Sequence, residues 1–177
     1  SVAAYHGYNY LLARENLTDH LEKKDKQGKI RQRLLKIRAK KVILATGALE
    51  RPLIFNNNDR PGIMLSSAVN KYADFYGVVC GQKTVFFTNN DSAYESAFCL
   101  HNKGIKVEAI IDIRDNSNSK IVKAVEDAGI KIHWSHTVVD TSGYKRLKNI
   151  SVMRLSNDGM SVTGNRIKIS SDCLGIS

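Results

Sequence analysis

Apolar positions in this chain come in short runs broken by small or charged residues, which is the pattern of strands alternating with helices. The sharpest run is Val42-Ile43-Leu44-Ala45, entered from Lys40-Lys41 and ended by Thr46-Gly47, with Pro52 soon after. Its length and its Gly and Pro borders predict a buried strand rather than a helix. From Lys83 the predicted order is strand, turn, helix, strand. Thr84 to Thr88 is β-branched and aromatic, Ser92 to Lys103 has helical spacing and stops at Gly104, and Ile105 to Ile111 is a second strand finishing at Asp112. This is one βαβ unit, the opening of a Rossmann-like half. Ser119 to Ala128 predicts a further helix, Ile130 to Trp134 a short strand, and Thr137 to Asp140 its extension after a break. Tyr144 to Leu155 and Ser161 to Ile169 alternate around Asn157-Asp158-Gly159, a hairpin signal, and Cys173 to Ser177 is again strand-like.

Upstream, Ser1 to Asn16 begins as a strand-like segment. Leu17 to Leu21 and Ile30 to Ala39 read as the two arms of a hairpin around the charged, Gly-containing stretch from Lys23 to Lys29. Ser66 to Tyr76 reads as a helix capped by Ser66 or Ser67, with Ala68, Val69, Tyr72, Ala73 and Tyr76 on its apolar face and Gly77 as its stop. These elements predict an α/β chain of two parts: residues 1–80, a β-hairpin or meander with the strand ending at Thr46-Gly47, and residues 81–177, a second, Rossmann-like domain.

Size and composition narrow the function classes. A chain of 177 residues suits one domain, or a small domain with part of another, and 42% hydrophobic content is ordinary for a globular protein. No apolar run reaches bilayer length and no signal peptide opens the chain, so a cytoplasmic setting is expected. Cys80, Cys99 and Cys173 have no metal-type spacing and read as reduced thiols. The net charge of +10 is concentrated in residues 1–60, which hold thirteen Lys/Arg against six Asp/Glu. That patch lacks the interleaved aromatic residues that stack nucleic-acid bases, so a solvated face or a contact with another subunit is expected instead.

A dinucleotide turn needs Gly-x-Gly-x-x-Gly, for the tight turn, the approach of the pyrophosphate and the packing of helix on strand. Here Thr88, Asn90 and Ala93 stand at those places, and only Ala93 is an accepted substitute. Asn90 projects a side chain where phosphate would come closest. Asp91 adds a carboxylate that competes for the same amides and suits the helix dipole. Asp112 falls where a ribose-binding acid belongs, with Arg114 near enough for a 2′-phosphate, but without the glycines the second domain is expected to keep the shape and not the nucleotide. Asn89, Asn90 and Asp91 then serve turn and cap first. Cofactor contact is instead expected at the small residues Thr46 and Gly47, since ligands lie outside the carboxyl ends of strands in open α/β sheets. No nucleophile–base pair can be assembled. His133 and His136 flank Trp134 without an acid at ligand spacing, and His6 and His20 are isolated.

Four stretches carry a family resemblance: Ala45-Thr46-Gly47-Ala48, Glu50-Arg51-Pro52, Asn58-Asp59-Arg60-Pro61-Gly62, and Phe87-Thr88-Asn89-Asn90-Asp91-Ser92-Ala93-Tyr94. In these the chain resembles an internal piece of the alpha subunit of heterotetrameric sarcosine oxidase, within the two-dinucleotide-domain (FAD/NAD(P)-binding disulfide oxidoreductase-like) flavoprotein superfamily. The resemblance implies oxidative demethylation of sarcosine to glycine with flavin and oxygen, an oxidoreductase reaction on a CH–NH donor. It implies NAD held by the alpha subunit in its first domain, with Ala45, Thr46, Gly47 and Ala48 beside it and Thr46 offering a hydroxyl. Glu50 and Arg51 are expected to form an ion pair. FAD and FMN are implied in the complete complex but not in this stretch, which alone would be inactive. The implied partners are the beta, gamma and delta subunits and tetrahydrofolate, with no nucleic acid and no membrane. Two other readings remain open: a subunit of another flavin-dependent amine or amino-acid dehydrogenase of opine or glycine type, and a cofactor-free Rossmann-like scaffold that docks partner subunits.

Overall fold

Tyr8 and Asn9 both take up left-handed backbone, with φ of 59° and 56°, and the tight turn they make folds strand β1 (Val2–His6) onto β2 (Tyr10–Asn16). In the computed structural model, which describes residues 2–47 and 50–177, the chain divides into two units, Ser1–Ala48 and Leu49–Ser177. The first unit is an antiparallel sheet of order β1-β2-β3, with β3 spanning Gln32–Arg38. Its cross-strand neighbours match in character: Leu11 lies between Tyr5 and Ile37, and Glu15 faces Arg33, whose Nη2 is 2.6 Å from Oε2. The expected hairpin therefore has its second arm in β3. Its first arm is β2 rather than Leu17–Leu21, and the four-residue helix α1 (Lys23–Lys26) lies in the connection.

The expected strand at Val42–Ala45 is not present. Residues 41–47 belong to no helix or strand, and Ile43 and Leu44 are 90% and 67% exposed. The run has the composition of a buried strand, but no strand among the described residues offers it a ladder, and strand conformation is held by such pairing and by burial rather than by local preference. Ala48, the last of the four expected contact residues, lies outside the described residues.

The second unit contains a five-stranded sheet of order β4-β11-β5-β6-β7, in which every pairing is parallel. Its strands are β4 (Ile63–Leu65), β5 (Thr84–Thr88), β6 (Val107–Asp112), β7 (Ile132–His133) and β11 (Cys173–Ile176). Helices α2 (Ser66–Phe75), α3 (Ser92–Asn102) and α4 (Lys120–Asp127) connect them. An antiparallel sheet of order β10-β9-β8 (Val162–Ser170, Asn149–Leu155, His136–Ser142) completes the unit. Because β4 pairs with β11 and α2 packs on α3, residues 50–80 lie in this second unit. The structural division thus falls about thirty residues before the boundary expected at residue 80.

Side-chain alternation along β5 builds both faces of the parallel sheet. Phe86 joins Val69, Tyr94, Leu100, Ile110 and Val122 in one core, under the helices. Val85 and Phe87 join Ile111, Leu147, Ile150 and Leu174 in the other, against the second sheet. All five β5 residues are buried, which is why the strand reads as one continuous apolar run. Gly175 in β11 is required by close approach: a Cβ there would sit 2.7 Å from Cδ1 and Cε1 of Phe86. The polar loop ahead of β4 fastens the second sheet. Asn56 and Asn57 donate to Asp140 Oδ1 at 3.2 and 2.8 Å, and Arg60 donates to the Gly143 carbonyl. Of the Asn58–Gly62 motif, Arg60 is thereby accounted for as architecture. Ser119 caps α4 through the Val122 amide. No helix among the described residues is long and apolar enough to cross a membrane.

Candidate functional site

The carboxyl edge of the parallel sheet gathers the polar residues of the second unit. β6 and β7 lie on one side of β5, and β11 and β4 on the other, so the strand order reverses beside β5, where open α/β sheets take their ligands. In that crevice Asn90 Nδ2 donates to Ser177 Oγ at 3.1 Å, and Ser92 Oγ and Ser177 Oγ are 2.8 Å apart. Asn90 also makes the turn itself: its amide donates to Thr88 Oγ1 at 3.0 Å, and its Oδ1 accepts the Ser92 amide at 3.0 Å. The expected turn and cap role therefore belongs to Asn90. Asp91, the residue preceding α3, makes no side-chain bond to the helix amides.

Asp91 turns instead to Arg114, with Oδ1 2.8 Å from Nη1. The same guanidinium reaches Asp112 Oδ2 through Nη2 at 2.7 Å, and the Arg114 amide donates to Asp112 Oδ1 at 2.9 Å. Tyr94 closes the network by donating its hydroxyl to Asp112 Oδ2 at 2.8 Å, and its ring stacks on Trp134 at 6.1 Å between centroids. Asp112 is fully buried, so both of its oxygens are engaged by Arg114 and Tyr94. Burial, and then the Asp112 carboxylate, push the Tyr94 phenol far above its ordinary value. For Asp91, burial pushes upward, but the bonds from Arg114, Ser119 and Ser117 outweigh it and hold the carboxyl below the usual range.

These bonds decide what the edge can do. A ribose-binding acid needs an oxygen free for a hydroxyl, and an arginine that receives a 2′-phosphate needs a free fork. Asp112 and Arg114 have given both to each other and to their neighbours. The amino end of α3, where a pyrophosphate would sit, has a protein carboxylate beside it. The residues present therefore do not fit a dinucleotide at this edge, and the Tyr94 hydroxyl is committed to Asp112 Oδ2. The Asp91–Arg114 bridge escaped sequence reading, though opposite charges following two adjacent strands were its signal.

The other expected site residues are dispersed. Ala45, Thr46 and Gly47 are exposed and in irregular backbone, with Gly47 at φ +70°. Glu50 does not pair with Arg51 among the described residues; its carboxylate accepts the hydroxyls of Ser66, at 3.0 Å, and of Ser67. The α2 helix is consequently not capped by either serine. Of its expected apolar face, Val69 and Ala73 are buried, but Tyr72 and Tyr76 are 44% and 58% exposed. The described residues contain no group of three His, Cys, Asp or Glu that could hold a metal ion.

His133 and His136 meet at 5.5 Å between ring centroids, and His136 Nδ1 lies 2.6 Å from the Trp134 carbonyl. Burial first, then the charges of Lys131 and His136, lower the His133 pKa from its ordinary 6.5. The unfolded chain therefore takes up a proton at this position before the folded one does. Its contribution to stability is complete above about pH 6.5 and is lost as the pH falls toward the folded value. Urea midpoints compared at pH 7.5 and 5.5 are expected to fall with acidification, and His133→Asn to make that fall smaller; an equal fall in the variant would remove His133 as its source.

Comparison with known proteins agrees with this architecture. The fold is that of the FAD/NAD(P)-binding oxidoreductases. A FAD-dependent pyridine nucleotide-disulphide oxidoreductase from Desulfovibrio vulgaris superposes with a TM-score of 0.57 at 15% identity, over 99% of this chain and 41% of that one. In sequence the chain is homologous to part of the sarcosine oxidase alpha subunit. It is 42% identical over 152 residues to that of Corynebacterium sp. strain P-1, covering 85% of this chain and 16% of the relative. It is 38% identical over 169 residues to that of strain U-96, covering 96% and 17%. The chain thus spans about one sixth of the length of these curated relatives. No family model matches it.

Proposed function

We propose that this chain acts within a sarcosine oxidase-type alpha subunit, in a flavin-dependent enzyme that demethylates sarcosine oxidatively to glycine and assembles with beta, gamma and delta subunits. In this reading the second unit, Leu49–Ser177, is a Rossmann-like support that binds no dinucleotide, and residues 1–48 continue a first dinucleotide domain. Ala45, Thr46, Gly47 and Ala48 border NAD held there. NAD supplies hydride chemistry when bound. The part of Thr46 and Gly47 is to present backbone, and one hydroxyl, close to it.

The observation that supports the reading is the closed Asp91–Arg114–Asp112 bridge, which commits the side chains a dinucleotide would need at the carboxyl edge of the second unit. Gly47 is where the alternative location can be tested. It is exposed, its φ is +70°, and an added Cβ would meet no atom within 4 Å. A substitution there acts through backbone conformation or through an incoming ligand, not through clashes inside the first unit. FAD and FMN, and the tetrahydrofolate that accepts the one-carbon unit, are assigned to other parts of the complex.

Two measurements test the reading. Titration of the 177-residue chain with NAD, read by amide shifts, is expected to leave residues 88–94 and 112–114 unmoved; saturable shifts there would show that the bridge opens for a dinucleotide. In a complete alpha subunit carrying this sequence, Gly47→Val is expected to abolish NAD retention with the subunit still folded. A Gly47→Val subunit that keeps its NAD removes Ala45 to Ala48 from the cofactor site.

A further inference from the structure

At the opposite, amino-terminal edge of the parallel sheet stand three cations that form no ion pair with any described acid. Lys83 precedes β5, Arg146 lies in the β8–β9 connection, and Lys148 precedes β9. With Asn149 and Ser170 they line a cavity of about 450 Å³. Its one carboxylate, Asp172, is held by backbone amides: Oδ1 accepts that of Lys83 at 2.8 Å, and Oδ2 that of Gln82 at 3.1 Å. The lining keeps an excess of positive charge.

Arg146 is positioned in advance. One Nη2 hydrogen bonds the Asp172 carbonyl at 3.3 Å. A guanidinium carries five N–H donors in a fixed fork, so most of its capacity is uncommitted. The same arginine also lines a second cavity of about 420 Å³, whose other walls include Met64, Tyr72, Val78 and the thiols Cys80 and Cys173. Burial keeps both thiols protonated, Cys173 up to about 12, so that wall carries no negative charge at neutral pH. A cavity with basic and hydroxyl-bearing walls thus meets an apolar one at a shared arginine. Each falls within the range of about 300–1,000 Å³ usual for ligand sites.

We propose that the two cavities form one binding site for an amphipathic anion, with its phosphate or carboxylate head on Arg146, Lys83 and Lys148 and its aliphatic or aromatic body against Met64, Tyr72 and Val78. The charge selects the head, because an ammonium group would face three like charges. The apolar wall selects the body, because a small inorganic anion would leave Tyr72 and Val78, 44% and 49% exposed, still in water. The site lies across the sheet from the Asp91–Arg114 network and does not depend on any cofactor assignment.

The test is a titration of the 177-residue chain with octyl phosphate below its micelle-forming concentration, followed by calorimetry and by amide shifts. Saturable binding is expected, with shifts concentrated in residues 62–64, 78–83 and 146–149. Inorganic phosphate is expected to bind at least about tenfold more weakly, for want of the buried chain. Octyltrimethylammonium is expected not to bind there. Arg146→Gln removes a charge-assisted contact and should weaken octyl phosphate about tenfold or more. Val78→Asp, on an exposed position that leaves the core untouched, should do the same from the apolar side. The proposal is overturned by absence of saturable octyl phosphate binding, by unchanged affinity in Arg146→Gln with the fold intact, or by inorganic phosphate or octyltrimethylammonium binding as tightly.

Discussion

Arg114→Leu is expected to lower the stability of the second unit by about 3 kcal/mol. The change leaves the Asp112 carboxylate, fully buried, with only the Tyr94 hydroxyl and one backbone amide. It also leaves Asp91 at the start of α3 without its cation. Breaking a buried ion pair from one side costs about 3–5 kcal/mol; the lower end applies because the Arg114 side chain is itself 28% exposed. At this chain size that is a melting-point fall of roughly 6–12 °C, measurable by scanning calorimetry. The double variant Arg114→Leu/Asp112→Asn is expected to recover a large part of the loss, since the uncompensated charge is removed while the Tyr94 hydroxyl keeps an acceptor. A loss below about 1 kcal/mol for the single change would mean that Asp112 is not dependent on Arg114. The network would then not be the closed arrangement on which the cofactor-free reading of this edge rests.

Phe86→Ala is expected to cost about 3–5 kcal/mol, as truncations of a fully buried aromatic residue do. Phe86 is 0% exposed and fills the helix-side core between β11 and the helices. Its ring lies against the backbone of Gly175 so closely that a Cβ there would come within 2.7 Å of two ring atoms. Gly175→Ala should therefore destabilise by overpacking, about 1–3 kcal/mol, although alanine is otherwise no burden to a strand. The pair is expected to be non-additive: Gly175→Ala should cost less in a Phe86→Leu background than in the parent. Equal costs in the two backgrounds, read from urea midpoints at constant m-value, would show that the ring and the glycine do not constrain each other.

The sequence discloses the parts of the fold that carry their own local signals. Thr84 to Thr88 is an apolar run buried on both faces. Ser119 to Ala128 has helical spacing and holds α4, and Asn157-Asp158-Gly159 marks the turn between β9 and β10; all three appear where the pattern puts them. What sequence does not disclose is pairing between distant segments. Ile63–Leu65 is three residues long and becomes a strand because β11, more than a hundred residues later, lies beside it. For the same reason the division at residue 48 could not be read from composition. Val42–Leu44 shows the converse: strong strand character without a partner remains irregular, with Ile43 and Leu44 exposed. Where the glycines are missing at Thr88 and Asn90, the turn is closed by hydrogen bonds of Asn90 itself. The device that fills the place, a single arginine bridging two aspartates, depends on side-chain geometry that no spacing rule encodes. The exposed Tyr72 and Tyr76 miss their expected role because α2 turns only Ser66, Val69 and Ala73 fully inward.

The position of β11 also bears on how the second unit is made. Of the five parallel strands it is the last to be synthesised, yet it lies between β4 and β5 rather than at a border. Until residues 173–176 emerge, β4 has no neighbour in that sheet and β5 is bare along one flank. The helix-side and opposite-face cores also lack Cys173, Leu174 and Ile176. Contacts closed over so long a stretch of chain form slowly, and a nascent chain with an unfilled slot in its sheet exposes backbone that another chain can occupy. The second unit is therefore most open to mispairing while β4 and β5 have been made and β11 has not, when a chaperone or a partner subunit at the seam would have most effect on yield.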